Sequence, residues 1–312
     1  MSQSDSSPSR SPVREVQVQP DRSGQRLDNF LMHALGGIPR SLVYRLIRTG
    51  QVRVNGGRAK PMRKLVTGDR VRLPPVAQPN GSNKSVPPGV REQIRRRIVH
   101  SQNEFVVVNK PAGLASQAGS GLDWGLDDVL ASLDKDLLPV HRLDRQTSGL
   151  MVFARGRKAA KSLQQAFQST AVGDRADKRY FALLCGCMPE DLVVLDWPLK
   201  KIRDRSGQHR VIVADDGQQA RSTFKRLETF AEHDYVEVRI DTGRTHQIRV
   251  HAAALGCPIV GDGLYNDSQD NEQSAPMFLH AGMLRLPWPE DQVFHAPLPD
   301  ELNQVLNSLR RG

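Results

Sequence analysis

His141-Arg142-Leu143-Asp144-Arg145-Gln146-Thr147-Ser148-Gly149-Leu150 sets one carboxylate among two arginines, two hydroxyl residues and a glycine, directly before an apolar run. Cations on either side favour the ionised, accepting form of a carboxylate. Read from the residues alone, the stretch is either a structural Asp–Arg pair closing a polar turn or a reactive carboxylate at the entrance to a strand. The apolar run Leu150–Phe153 predicts that strand, and Phe105–Val108 predicts another buried one. Ala159, Leu163, Ala166 and Phe167 fall at helical spacing, so an amphipathic helix follows. Tyr180–Leu184 reads as a strand, and Tyr235–Ile240 alternates with Val236, Val238 and Ile240 facing inward. Strand and helix do not alternate regularly and no repeat is visible. The expected fold is therefore α+β, with a mixed, mostly antiparallel sheet.

Upstream lies a smaller module. Leu27, Phe30, Leu31, Ala34 and Leu35 have the spacing of an amphipathic helix, ended by Gly36-Gly37. Ser41 is placed to cap a second helix with Val43, Leu46 and Ile47 inward and Gly50 at its end. Arg40, Tyr44, Arg45 and Arg48 remain on its outer side. Val52-Arg53-Val54 leads into an Asn55-Gly56 turn, a hairpin signal, and a strand is expected at Arg70–Leu73. Residues 1–20, rich in Ser, Pro, Gln and Arg, are expected to be a disordered tail. Residues 74–89 hold five prolines and two glycines, and with the arginines that follow they form an expected linker, 74–97. The expected domains are thus 21–73 and 98–312.

The composition, 38% hydrophobic and 25% charged over 312 residues, is that of an ordinary globular chain. No run approaches the ~18 apolar residues of a membrane span, and the N-terminus lacks the apolar core of a secretory signal. Three cysteines, an odd number, fit a reducing compartment, so a cytoplasmic protein is expected. Residues 1–99 carry 19 Lys/Arg against 6 Asp/Glu, whereas the rest carry 25 against 28. The basic excess therefore sits in the first third, where it serves either a polyanionic partner or simple solvation. Only 5% of residues are aromatic, which disfavours a long base-stacking platform. Walker, dinucleotide-binding, H-E-x-x-H and zinc-deaminase signatures are missing, and Cys185-Gly186-Cys187 has no partner pair; no metal site is expected.

Two resemblances sharpen this picture. Residues 26–31, 41–56 and 67–73 together resemble the S4 RNA-binding domain, whose helical hairpin with an arginine-bearing face suits phosphate contacts. H-R-L-D-x-x-T-S-G-L at 141–150 resembles the signature of the RluA-type pseudouridine synthases. Val108–Leu114, Lys178–Leu183, Gly243–His251, Pro258–Asp262 and Leu279–Ala281 agree with that family in order and spacing. The resemblance implies a catalytic domain with a central RNA cleft and a cofactor-free, monomeric isomerase. Such an enzyme converts specific uridines to pseudouridine in large-subunit (23S) ribosomal RNA. Other ribosomal sites, transfer RNA, or a non-catalytic assembly role are the alternatives.

Carried over by position, the resemblance makes Asp144 the catalytic aspartate, Tyr180 the tyrosine packing on the flipped uracil, and Arg249 the arginine paired with the aspartate. Arg142 would enter the gap left in the RNA. Arg40, Arg45, Arg48, Arg53, Arg244, His246 and Gln247 are expected RNA contacts. Ser116-Gln117 stands where many relatives have a histidine, which concerns RNA contacts at that edge of the cleft. For the 243–251 stretch, Thr245 is the expected helix cap, with Ile248, Ala252 and Leu255 inward and Arg249 on the same side as Thr245.

Overall fold

The apolar patterns resolve into separate cores in the computed structural model, which describes residues 13–35, 38, 40–76, 86–118, 124–169, 171, 173–204, 207–266 and 275–311. The chain divides into two units, Met1–Ser85 and Val86–Gly312.

In the first unit, β1 (Arg14–Gln17) is followed by α1 (Leu27–Ala34), α2 (Arg40–Arg48), β2 (Arg53–Val54) and β3 (Arg70–Leu73). The helices bury Leu27, Phe30, Leu31, Val43, Leu46 and Ile47 against Val54, Val71 and Leu73. Strand order is β1-β3-β2, all antiparallel. Three expectations change here. Arg14–Gln17 belongs to the stretch expected as a tail, but it is a strand, because Val16 and Val18 join this core; residues 1–12 lie outside the described residues. The second helix starts at Arg40, so Ser41 lies within it rather than at its cap. The Asn55-Gly56 turn forms with positive φ at both residues (52° and 79°), yet β2 pairs with the later β3. Asn55 makes that link: its side chain donates to Asp69 Oδ1 (2.7 Å) and accepts the Arg70 N–H (2.8 Å).

The second unit begins with α3 (Pro88–Arg95), inside the expected linker. A proline in the first turn starts the helix, and Val86 and Ile94 enter the main core. β4 (Ile98–Ser101), β5 (Phe105–Lys110), α4 (Leu126–Leu133), β6 (Leu137–Pro139), β7 (Ser148–Arg155), α5 (Gly156–Gln168) and β8 (Asp177–Cys185) follow. After them come β9 (Leu192–Asp196), β10 (Leu199–Arg203), β11 (His209–Val213), β12 (Arg221–Thr229), β13 (His233–Ile240), α6 (Gln247–Ala254), β14 (Leu279–Leu286), β15 (Gln292–His295) and α7 (Asp300–Leu309). Among the described residues a ten-stranded sheet runs β4-β5-β7-β14-β8-β13-β12-β9, with β6 on β7 and β15 on β14, while β10 and β11 pair only with each other. Every pairing is antiparallel except β7 with β14.

β7 is continuously apolar because both its faces are covered. Leu150, Val152 and Ala154 pack with Leu163 of α5, whereas Met151 and Phe153 pack with Leu126, Val129 and Leu130 of α4. At the start of β7, Gly149 (φ +114°) meets β14 so closely that a Cβ would fall 2.3 Å from the Ala281 carbonyl oxygen. Only glycine permits that parallel joint, and the joint places the end of the 141–147 loop beside β14 and β8. α6 is too short to persist alone. Ile248 and Ala252 hold it on the main core, each fully buried aliphatic side chain such as Ile248 contributing about 1.5–3 kcal/mol. Among the described residues no helix is long and apolar enough to cross a membrane.

Candidate active site

The loop from His141 to Thr147 is fixed from beneath by the turn after β5. Lys110, fully buried, donates from Nζ to the carbonyls of Pro111 (2.9 Å), Leu114 (2.9 Å) and Arg145 (3.1 Å). Burial pushes its ammonium down to about 7, against the attraction of Asp144. The Gly113 N–H donates to the Arg145 carbonyl, and Arg145 Nε donates back to the Gly113 carbonyl (2.8 and 2.9 Å). Ser116 Oγ donates to the Leu143 carbonyl (2.6 Å) and accepts the Leu143 N–H (3.0 Å). Ser116 thus grips the backbone of the residue before Asp144 from a buried position.

Opposite this loop, α6 is started by an unexpected device. Thr245 does not cap it; His246 is the N-cap residue, with left-handed backbone (φ 54°), and Gln247 does the securing. The Gln247 Oε1 accepts from Thr242 Oγ1 (2.7 Å) and the Arg244 N–H (3.0 Å). Its Nε2 donates to the Arg221 carbonyl and to Ser222 Oγ (both 2.9 Å). Buried and fully committed, Gln247 has no group left for the RNA contact expected of it. His251 is structural as well, bonded to Ser222 Oγ and the Trp197 carbonyl (both 3.0 Å). His141 stacks on Phe167 and accepts the Val152 N–H at Nε2 (3.0 Å).

Arg249 projects from α6 and is buried. Its Nε and Nη2 form a two-pronged pair with Asp262 Oδ2 and Oδ1 (2.7 and 2.6 Å), and its Nη1 reaches Asp144 Oδ2 at 3.5 Å. Asp262 Oδ1 also accepts the N–H groups of Leu264 and Tyr265 (3.0 and 3.2 Å). Burial works against the Arg249 cation, but Asp262, joined by Asp144 and Tyr265, more than offsets it, and the guanidinium is held above its ordinary value. The Tyr265 ring lies 5.1 Å from the guanidinium carbon. Planar pairing on one edge leaves the other edge aimed at Asp144.

His246 faces the same carboxylate, with Nε2 3.9 Å from Asp144 Oδ2. Its Nδ1 meets Tyr265 Oη at 2.8 Å, and that hydroxyl accepts the Val211 N–H at 3.0 Å. With Val211 donating to the hydroxyl oxygen, the arrangement that also gives the hydroxyl proton an acceptor has it donate to Nδ1, which puts the N–H of the neutral ring on Nε2, toward Asp144. Burial pulls the His246 imidazole below its ordinary value, against the pull of Asp144. Tyr180, buried on β8, lines the same cavity; burial and then Asp144 push its phenol up, so it stays protonated.

The cavity is lined by Arg142, Leu143, Asp144, Thr147, Tyr180, Ile240, residues 243–249 and Leu279. The structure therefore brings Asp144, Tyr180, Arg249, Arg142, Arg244 and His246 together, with Arg142 and Arg244 exposed. Arg45 and Arg48 are exposed on α2 of the first unit; Arg53 donates to the Gly56 carbonyl (3.1 Å), and the Arg40 side chain lies outside the described residues. Asp262, Tyr265 and Lys110 belong to the site although no role was expected for them. Among the described residues no group of three or more His, Cys, Asp or Glu could hold a metal ion.

Comparison with known proteins shows what the chain is similar to. Residues 104–254 match the family model of RNA pseudouridylate synthase, and residues 25–71 that of the S4 domain. Ribosomal large subunit pseudouridine synthase C of Vibrio cholerae is 37% identical over 318 residues, spanning 97% of this chain and 99% of its own. The protein of the same name from Escherichia coli K12 is 36% identical over 315 residues, spanning 96% and 98%. Among solved structures, human RNA pseudouridylate synthase domain containing 4 matches with a TM-score of 0.60 at 27% identity, over 71% of this chain and 96% of that one. Human RNA pseudouridylate synthase domain containing 1 gives 0.58 and 27%, over 73% and 98%.

Proposed function

The chain belongs to the RNA pseudouridylate synthase family, and on that premise we propose that it isomerises specific uridines of large-subunit ribosomal RNA to pseudouridine. The reaction breaks the N1–C1′ bond, turns the uracil and joins C5 to C1′. The C5 hydrogen leaves as a proton while N1 takes one up, so the composition of the nucleotide is unchanged. A stacked uridine hides both C1′ and C5, and the nucleotide must first leave the helix.

Asp144 is the carboxylate on which glycosidic cleavage depends. Arg249 orients it, Tyr180 packs on the extruded uracil, and Arg142 enters the RNA where the base has left. Arg45 and Arg48, with Arg40 and Arg53, hold the RNA backbone from the S4 unit. The enzyme works as a cytoplasmic monomer without a cofactor.

One observation carries this reading. Asp144 lies 3.5 Å from a buried guanidinium whose other edge is locked on Asp262, in the cavity that Tyr180 lines. Such an arrangement presents a carboxylate at a fixed place without help from solvent. The ribosomal target rests on the names of the relatives and on the S4 match at residues 25–71. Transcripts of large-subunit ribosomal RNA and of transfer RNA, tritiated at uracil C5, test it. Tritium release from the ribosomal transcript alone is expected. Release from transfer RNA alone would move the substrate, and release from neither, nor from assembling subunits, would overturn the enzymatic reading.

A further inference from the structure

Gly243, Arg244 and Thr245 line the cavity of Asp144 and also line a second groove, whose other wall is Leu199, Lys200 and Lys201 of β10, Val211 of β11, and residues 216–218, among them Asp216, which Lys200 neutralises. The β10–β11 ribbon therefore borders the proposed active site. Its register pairs Leu199 with Val213, Lys201 with Val211 and Arg203 with His209, which puts these six side chains on one face. Leu199 and Val211 on that face are buried with Val250 and Tyr265. The face is thus turned toward α6, and Lys201 and Arg203 continue it outward into solvent.

Charge singles out the same ribbon. Residues 199–213 hold five basic residues and one acidic one, in a part of the chain, from His100 onward, with 25 basic and 28 acidic residues. Lys200 is paired with Asp216, and Arg210 with Asp204. Lys201, Arg203 and Arg244 have no acidic partner among the described residues, and Arg244 is steadied by donation from Nε to the Gln219 carbonyl (2.9 Å). The ribbon is also held in place, because the Val211 N–H ends on the Tyr265 hydroxyl that bonds His246.

We propose that this groove, together with Arg203 just beyond its lining on the same face of the ribbon, binds the single-stranded RNA backbone on one side of the target nucleotide, with Lys201, Arg203 and Arg244 on phosphates. The inference rests on the uridine-isomerising reading of the neighbouring cavity. An extruded nucleotide leaves its flanking phosphates at the cavity mouth, and the wall 243–245 is common to both spaces. Two cations on a fixed ribbon and a third on the facing wall, all without acidic partners among the described residues, match a polyanion rather than a single small anion.

The test uses the full-length protein with Lys201→Gln/Arg203→Gln, two exposed positions. Lys158→Gln/Lys161→Gln, exposed on α5, removes equal charge elsewhere as a control. The groove variant is expected to raise KM for RNA about tenfold, with the loss falling on KM rather than kcat. The slope of log affinity against log salt should flatten by about 1.4, at ~0.7 for each lost single-strand phosphate contact. The control should match wild type in both. Unchanged KM and slope in the groove variant, or an equal change in the control, would overturn the groove as a phosphate site. Wild-type protein that releases tritium from no RNA would instead refute the enzymatic reading, while the salt slopes would still judge the groove.

Discussion

Asp262→Asn probes the buried pair that aims Arg249. The substitution keeps Oδ1 for the Leu264 and Tyr265 N–H groups but sets an amide against the Arg249 Nε–H, donor facing donor. It also leaves the guanidinium, only 8% exposed, with Asp144 at 3.5 Å as its one remaining carboxylate. Breaking a buried ion pair by removing one partner costs about 3–5 kcal/mol. A domain of this size loses ~2–4 °C of Tm per kcal/mol, so a fall of about 6–20 °C is expected. Turnover should fall about 100-fold, the scale of a displacement of about 1 Å at a reacting group. Circular-dichroism melting and C5 tritium release, measured below the variant's Tm, read the two effects separately. A variant that melts within 2 °C of wild type and turns over normally would refute the argument that Asp262 holds Arg249.

Three further outcomes follow from the same contacts. Tyr265→Phe keeps the ring over Arg249 but removes the hydroxyl between Val211 and His246; 15N spectra should show the His246 N–H shared between Nδ1 and Nε2, and a wild-type spectrum with Nδ1 protonated would contradict the assignment. Burial lowers His141 to about 3, so the unfolded chain takes up a proton below pH 6.5 that the folded chain does not. Stability should therefore be full above pH 6.5 and fall with acid, by about 2 kcal/mol from this group between pH 6.5 and 5. Urea unfolding of His141→Gln should lack that part of the dependence; an identical pH slope would remove His141 as its source. Arg45→Ala/Arg48→Ala should flatten the salt slope of RNA binding by about 1.4, at ~0.7 per phosphate, and an unchanged slope would mean that α2 does not contact the RNA.

Much of the architecture was legible because it is written in local periodicity. The stripe Leu27, Phe30 and Leu31, the apolar run of β7 and the alternation of β13 each appear as elements with those residues buried. What local pattern could not reveal depends on partners distant in sequence. β1 exists because β3 offers it an edge, and α3 because Val86 and Ile94 find the main core. The site shows the same division. Asp144, Tyr180 and Arg249 stand in motifs whose resemblance to a family carries them, and the structure brings all three to one cavity. Gln247 looks like a free amide in the sequence, yet Thr242, Arg221 and Ser222 consume it. Asp262 was visible only as part of a matching stretch, because its task, holding Arg249 thirteen residues away, is a matter of side-chain geometry. Tyr265 and Lys110 act through a hydroxyl and three carbonyl contacts that no spacing rule marks.

The most direct test of the central claim compares wild type with Asp144→Asn for tritium release from C5-labelled large-subunit RNA, with binding measured on the same preparations. Release by the wild type alone is expected, with RNA affinity within a few-fold for both. Equal release by Asp144→Asn would take the carboxylate out of the reaction and contradict the account.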